Sequence, residues 1–179
     1  MNDAVADLVA RGVRAADVDE VEVRVGAGAA AFADVADGEL AARFSVPTSV
    51  AVALVTGCLD ETTMDDATVT SAPVRALAER VRVVHDPVLD AGHPAGRPAR
   101  VRVRLADRGQ LTAAADRPRG DADRAFGRAE LADKALRLLT RRFGAAAAAD
   151  ELAAVHALAQ GGTARGLGAA LRRAAGGAR

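Results

Sequence analysis

The chain has 179 residues, 50% of them hydrophobic, and its 24 lysine and arginine residues equal its 24 aspartate and glutamate residues in number. This length fits about one domain with an ordinary core, and the zero net charge excludes a general electrostatic attraction to nucleic acid or to an anionic membrane. Cys58 is the only cysteine, which excludes an intrachain disulfide and a thiolate metal site made by this chain alone.

Hydropathy and residue content predict the cellular compartment of the protein and the kind of core it has. No uninterrupted apolar run approaches the roughly 20 residues of a membrane span, and Met1-Asn2-Asp3 lacks the basic start of a signal peptide. We therefore expect a cytoplasmic protein. The chain has no Trp or Tyr and only four Phe, so we expect a thin core of Val and Leu and a need for a partner surface to reach ordinary stability.

The first half of the chain mixes helical and strand patterns. Apolar residues at helical spacing predict a helix over residues 3–13, and alternating apolar and charged residues predict a strand over 18–25. A nearly all-apolar helix is predicted over 47–55 and ends at Gly57. A second core helix over 73–81, with Ser71 as its N-cap, leads into a strand that ends at residue 86.

The second half contains the clearest hairpin. Prolines and glycines make residues 87–98 an irregular segment. Valine and leucine alternate with arginine over 101–105, the turn Asp107-Arg108-Gly109 follows, and 110–115 returns as the second strand. Helices are predicted over 127–143 and 151–158, and order is expected to fade from Gly161 onward. We expect an α+β two-layer sandwich, in which one antiparallel sheet carries helices packed on one face.

A glycine-rich segment after the first strand suggests nucleotide binding at first sight. Residues 26–31 fit G-x-G-x-x-A, whose glycines allow close approach of a pyrophosphate. Asp34, Asp37 and Gly38 interrupt the strand–helix–strand unit that this fingerprint needs. A flexible Gly/Ala loop is the favoured interpretation.

The other polar clusters also favour simple interpretations. The three histidines show neither metal-ligand spacing nor a nucleophile–base pattern, so no metal is expected: His85, His93 and His156. Four acidic residues could be mistaken for paired catalytic carboxylates, and we interpret them as solvated loop and helix-start charges: Asp60, Glu61, Asp65 and Asp66.

Residues 42–54, ARFSVPTSVAVAL, join a polar cluster to an apolar run through one proline. Pro47 opens a helix in its first turn and gathers four polar side chains at the helix N-terminus: Arg43, Ser45, Thr48 and Ser49. Unpaired N–H groups and the helix dipole make such a place suitable for a carboxylate. The alternative is that Ser45 merely caps a core helix.

This segment resembles the "KFS-x-P-Y-x-x-A-x-A-L" pattern of the MmgE/PrpD family, which includes 2-methylcitrate dehydratase, cis-aconitate decarboxylase and iminodisuccinate epimerase. Residues 15–25, 72–91, 97–109 and 118–134 resemble further family segments in the same order. The resemblance covers about residues 3–140 and is to the smaller, C-terminal α+β domain of the family. It implies such a domain over residues 1–145, followed over 146–179 by a helical Ala/Gly-rich extension that is partly disordered at its end.

The resemblance implies a cofactor-free lyase domain that acts on small polycarboxylic acids. In the family, a proton next to a carboxylate is abstracted and water is lost, or a related decarboxylation or epimerisation occurs. Thr48 stands at the position of the family's catalytic tyrosine, and an alcohol is a far poorer acid than a phenol. Arg43 stands where lysine is usual and is expected, with Ser45 and Ser49, to bind the substrate.

Family members also have a helical domain that supplies most of the acid, base and substrate-holding residues, and we expect this chain to lack it. One hypothesis is a C-terminal lyase domain that is completed by a separately encoded helical domain and is inactive alone. The alternative is a non-catalytic, truncated module with an interaction role only. The expected partners are a polycarboxylate substrate, a helical-domain protein or a second copy of the chain, with no nucleic acid and no membrane.

Overall fold

The computed structural model describes residues 1–107 and 109–176, and the chain forms two compact units that meet in sequence between Arg124 and Ala125. The strands of the first unit are β1 (Val18–Val25), β2 (Val81–His85), β3 (Ala99–Leu105) and β4 (Gln110–Ala115). Its helices are α1 (Asn2–Ala10), α2 (Ala27–Ala30), α3 (Glu39–Ala42), α4 (Val46–Thr56), α5 (Asp66–Val69), α6 (Ala72–Ala78) and α7 (Pro87–Asp90), with 3-10 turns at Ala15–Asp17 and Ala122–Arg124.

The sheet has the strand order β2-β1-β3-β4, and it is mixed. Strand β1 pairs in parallel with β2, whereas β1 with β3 and β3 with β4 are antiparallel. The prediction of a purely antiparallel sheet is therefore wrong. The chain between β1 and β2 passes through helices α2 to α6, and a connection of this length allows the second strand to run in the same direction as the first.

The hairpin of β3 and β4 is confirmed with the predicted strands. Leu105 donates its N–H to Gly109 O at 2.8 Å, and Gly109 donates its N–H to Asp107 Oδ1 at 2.8 Å. Arg108, the middle residue of the predicted turn, lies outside the described residues. The two hydrogen bonds of Gly109, with Leu105 and with Asp107, close the hairpin.

The core of the first unit consists of valine, leucine and alanine, together with Met64. Alternation along the strands buries one side of β1 and β3, and α1 contacts β3 and β4 while α4 contacts β2. Leu8, Leu54 and Leu77 are the largest apolar side chains with less than 2% exposure, and the four phenylalanines lie outside the buried core. The expected dependence of the core on valine and leucine is confirmed. The need for a partner surface and the two-layer sandwich stay predictions.

The second unit contains the helices α8 (Arg128–Phe143), α9 (Ala145–Ala159) and α10 (Ala164–Gly176), with α9 in contact with both others. Helix α9 begins earlier than predicted because residues 145–149 are all alanine, the best helix former. Helix α10 forms where we expected order to fade. Residues 177–179 lie outside the described part of the chain, and the domain boundary predicted at residue 145 stays a prediction.

None of the helices in the described ranges combines the length and the hydropathy that crossing a membrane requires.

Candidate functional site

Helix α4 begins where the sequence predicts because Ser45 closes its first turn. Ser45 has an extended backbone (φ −110°, ψ 117°), and its Oγ accepts a hydrogen bond of 3.1 Å from the Thr48 backbone N–H. Pro47 lies in the first turn, where its missing N–H removes no intrahelical bond. The helix ends at Gly57, whose φ of +83° favours glycine. The capping role of Ser45 is confirmed.

The hydroxyl groups of Ser45 and Thr48 turn inward and connect α4 to the loop between α2 and α3. Ser45 Oγ donates to Asp34 O at 2.6 Å, and Thr48 Oγ1 accepts from the Ala36 backbone N–H at 3.0 Å. The two hydroxyl oxygens lie 2.9 Å apart, and their residues are 5% and 1% exposed. Hydrogen bonds of this kind offset the cost of burying the hydroxyls. In this structure, both groups are therefore used internally.

Ser49 and Arg43 lie in contrasting environments. Ser49 is buried, and its Oγ is 3.4 Å from Ala42 O, to which it donates. The Arg43 side chain is 47% exposed, and its Nη2 lies 2.6 Å from Glu39 Oε1, one helical turn earlier. Such an exposed pair contributes only about 0.3–0.5 kcal/mol. Arg43 reaches solvent, whereas the three hydroxyl-bearing residues are buried.

Large apolar side chains are exposed in the segment that leads into α4. The exposed fraction is 45% for Phe32, 43% for Val35, 74% for Leu40 and 62% for Phe44, and we call these four residues the apolar rim. The rings of Phe32 and Phe44 are in contact, with centroids 6.0 Å apart. Val46 donates its N–H to Phe32 O at 2.9 Å, which places the apolar rim beside the N-terminus of α4. Exposed apolar clusters often mark interaction surfaces.

A histidine–aspartate pair that the sequence analysis missed lies where β1 and β2 end. His85 Nε2 is 2.6 Å from Asp90 Oδ2, and Asp90 Oδ1 accepts from the Ala27 N–H at 2.8 Å. The hydrogen bond with His85, and then that with Ala27, lower the pKa of Asp90. A Cβ on Gly26 would lie 2.7 Å from Asp90 Oδ1, so glycine permits this close approach. The predicted Gly/Ala loop at 26–31 contains the short helix α2 instead.

The acidic residues that follow α4 serve the local backbone. Asp65 Oδ1 accepts from the Thr68 N–H and caps α5, and Asp60 Oδ1 accepts from the Thr62 N–H. These contacts confirm the predicted loop role of Asp60 and the helix-start role of Asp65, whereas one carboxylate oxygen of Glu61 is buried rather than solvated. Within residues 1–107 and 109–176, no group of three or more His, Cys, Asp or Glu side chains is arranged to hold a metal ion.

Comparison with known proteins links this arrangement to one family. The model of the MmgE/PrpD C-terminal domain matches residues 2–160 of the chain. The match includes the N-terminus of α4, the apolar rim and all four strands. No curated protein matches the chain. The matched range contains the region of resemblance and extends beyond it by about one helix.

Proposed function

This chain belongs to the MmgE/PrpD family, and on that premise we propose that it is the C-terminal domain of a cofactor-free lyase that acts on small polycarboxylic acids. The reaction we propose is dehydratase-like: a proton leaves the carbon next to a carboxylate, its electron pair forms the new double bond, and hydroxide leaves and is protonated to water. A helical domain outside this sequence would supply the general base. We also propose that the protein works in the cytoplasm.

Arg43 carries this proposal. It lies within the matched family segment, its guanidinium reaches solvent, and it forms an ion pair with the exposed Glu39. A guanidinium can bind a carboxylate through two parallel hydrogen bonds, which orients the substrate as well as attracting it. We propose that Arg43 exchanges Glu39 for a substrate carboxylate when the active site is complete.

The buried hydroxyls require a separate role. We propose that Thr48 occupies the position of the family's catalytic tyrosine and that Ser45 and Ser49 bind the substrate. All three hydroxyl groups now form hydrogen bonds within the chain, so substrate binding by them requires a change in those bonds. Asp34 and Ala36, which hold Ser45 and Thr48, must move before those hydroxyls can meet a substrate. Without that movement, the hydroxyls keep the N-terminus of α4 in place and leave the binding to Arg43.

The apolar rim supports the proposal of a protein partner. Its exposed side chains lie beside Arg43, where a helical domain would enclose the substrate and exclude water. A partner that covers Leu40 and Phe44 would remove apolar surface from water, which stabilises a complex by about 25 cal/mol per Å² buried. A second copy of the chain could cover the same residues, and it would then compete with the helical domain.

A non-catalytic interaction module is the second candidate function. The observation that favours it is Thr48, which is 1% exposed and serves as an internal acceptor at the position where the family resemblance implies a tyrosine. A module of this kind would keep the apolar rim and its partner without turnover. It would not require Arg43 to meet a carboxylate.

The decisive experiment measures turnover of 2-methylcitrate and cis-aconitate by the pure chain, by a separately produced MmgE/PrpD helical domain, and by their mixture. We expect no turnover by the chain alone and measurable turnover by the mixture. Turnover by the pure chain above a blank would overturn the proposed need for a helical domain. A mixture that forms a complex but remains inactive would favour the non-catalytic module.

Arg43 variants sharpen this test. In an active mixture, Arg43→Gln should lower kcat/KM about tenfold or more, because a charge-assisted hydrogen bond is worth about 1.5–3 kcal/mol. Arg75→Gln removes an exposed arginine from α6 and is the matched control. Equal losses in the two variants would show that Arg43 has no specific role in binding.

A further inference from the structure

Four strands place one row of polar residues side by side across the sheet. Arg82 on β2, Glu22 on β1, Arg102 on β3 and Thr112 on β4 are register partners. The side chains of β1 alternate, so Glu22 lies on the face opposite to that of the buried Val21 and Val23. In the next row, Arg24 pairs directly with Arg100, and Arg100 pairs with Ala114.

Glu22 organises the arginines of this face. It is 4% exposed although its neighbours are charged. Its Oε1 accepts from Arg24 Nε at 2.8 Å, its Oε2 lies 3.0 Å from Arg102 Nη2, and Arg82 binds the same Oε2. Burial raises the pKa of Glu22, but the hydrogen bond from Arg24 and the charges of Arg102, Arg24 and Arg82 outweigh it and lower the pKa. One ionised carboxylate thus holds three guanidinium groups in place.

The guanidinium groups of Arg24 and Arg102 still have N–H donors that face solvent. The side chains of Arg24 and Arg102 are 46% and 47% exposed. Each guanidinium has five N–H donors, and the two oxygens of Glu22 engage only part of that number. Arg24 and Arg100 are direct cross-strand partners with like charges, an arrangement that destabilises a sheet unless anions offset it. Asp116 Oδ1 lies 2.7 Å from Arg100 Nη1, and Asp86 Oδ2 lies 3.7 Å from Arg24 Nη1. With Glu22, three carboxylates of the described residues therefore pair with the four arginines Arg24, Arg82, Arg100 and Arg102, which leaves this cluster with an excess of positive charge.

Small side chains on β4 leave space beside these arginines. Thr112 and Ala114 lie next to Arg102 and Arg100 in the register, and the surface there forms an open depression of about 360 Å³. Its lining includes Glu22, Arg24, Arg100 and Arg102. A depression of this volume is suited to a small molecule.

We propose that this depression binds a small oxyanion with two or more negative charges, through Arg24, Arg100 and Arg102. Arg100 and Arg102 are two residues apart on β3, a separation of about 7 Å along a strand. A monocarboxylate is satisfied by one guanidinium, whereas a molecule with more charged oxygens, either a dicarboxylate or a phosphate, can pair with two of them. A dicarboxylate and inorganic phosphate share the required chemistry. The site lies on the face of the sheet opposite to the valine core and does not depend on the function proposed for Arg43.

Isothermal titration calorimetry on the whole chain at low ionic strength tests the site. The probes are succinate, inorganic phosphate and, as the monovalent comparison, acetate. We expect succinate or phosphate to bind with a stoichiometry of one and more tightly than acetate, and the tighter of the two identifies the class of ligand. If neither divalent anion binds more tightly than acetate, the proposal is wrong.

Variants localise the binding. Arg102→Gln and Arg100→Gln should each lower the affinity about tenfold or more, since each loses a charge-assisted hydrogen bond. Arg104→Gln is the matched control on the same strand, because Arg104 pairs with Asp19 and Glu20 instead. An equal loss in Arg104→Gln would reduce the effect to general electrostatics and overturn the proposal.

A steric variant separates binding from folding. Ala114→Leu adds volume to the depression at an exposed strand position and leaves every charge in place. We expect it to abolish binding of the divalent anion while the thermal unfolding transition of the free chain stays near that of the parent. Unchanged binding would show that the anion lies elsewhere.

Discussion

The hydroxyl oxygen of Thr48 lies 3.0 Å from the backbone nitrogen of Ala36, twelve residues earlier in the chain. This hydrogen bond connects the first turn of α4 to the loop between α2 and α3. At the position where the MmgE/PrpD resemblance implies a tyrosine facing substrate, the chain has a buried side chain that stabilises its own fold. The relationship makes the stability of the α4 N-terminus and the proposed activity separable by mutation.

Replacing Thr48 by valine tests the structural role of the hydroxyl. Thr48→Val keeps the shape but removes the acceptor of the Ala36 N–H, so we expect a loss of about 1–3 kcal/mol in the free energy of unfolding. Thr70→Val is the matched control, because Thr70 is exposed and its Oγ1 donates to Asp66 O. Urea unfolding of both variants gives the comparison. Equal midpoints would mean that the Ala36 contact contributes nothing specific.

Leu54 tests whether α4 is the central helix of the first unit. It is 1% exposed in a helix whose residues 46–54 are all buried. Leu54→Asp places an unpaired charge among apolar side chains, and we expect it to abolish cooperative unfolding of the first unit. Leu40→Asp makes the same change at a side chain that is 74% exposed and should leave the transition in place. Thermal unfolding followed by circular dichroism distinguishes the two; an unchanged transition in Leu54→Asp would contradict the burial of this helix.

Local patterns predicted much of the first unit because its signals are short-range. The strand at 18–25, the Ser45 cap with its apolar helix, and the two hairpin strands all depend on residues close in sequence. The direction of β2 relative to β1 depends on a crossover of 55 residues between Val25 and Val81, which no local pattern specifies. Helix α10 was missed because its glycines suggest disorder, although leucine and arginine recur along it at helical spacing.

The sequence predicted which residues lie at the N-terminus of α4, but it did not predict where their side chains point. The proline and the cap correctly placed a helix N-terminus, but the sequence could not show that Thr48 would accept from Ala36 and face inward. The contact of His85 with Asp90 and the cluster around Glu22 depend on strand register and on side-chain directions. Neither has a spacing that differs from ordinary surface residues. Long-range pairing therefore created the charge clusters that the sequence concealed.

Glu22 should make the stability of the first unit depend on pH. Its pKa in the folded chain is below the ordinary value of 4.5, because its arginine partners outweigh burial. A carboxyl group with a depressed folded pKa stabilises the fold above its unfolded pKa, and this contribution is lost as the pH falls through the folded value. We expect Glu22→Gln to be less stable than the parent at pH 7 by about 1 kcal/mol, since the arginines are half exposed.

The comparison of the two proteins across pH is the measurement. The difference in their unfolding free energies should shrink as the pH is lowered from 6 to below about 4, the usual range for a glutamate. Glu79→Gln, at the end of α6, provides a matched control with an exposed side chain. A difference between Glu22→Gln and the parent that is constant from neutral to acidic pH would contradict the ionised cluster.

The apolar rim should make the isolated chain associate. Leu40 and Phe44 are 74% and 62% exposed beside the proposed site, and water contact with such side chains favours any surface that covers them. We expect sedimentation velocity of the pure chain to show a concentration-dependent shift toward dimers or larger species.

Adding a helical-domain partner should replace self-association by a complex of the two proteins, because the second copy and the helical domain would cover the same residues. Phe44→Ser should weaken both kinds of association, whereas Val88→Ser, at a residue of α7 that is 79% exposed, should change neither. A chain that stays monomeric at high concentration and ignores the helical domain would leave the apolar rim without a partner and contradict the split-enzyme proposal at its interface.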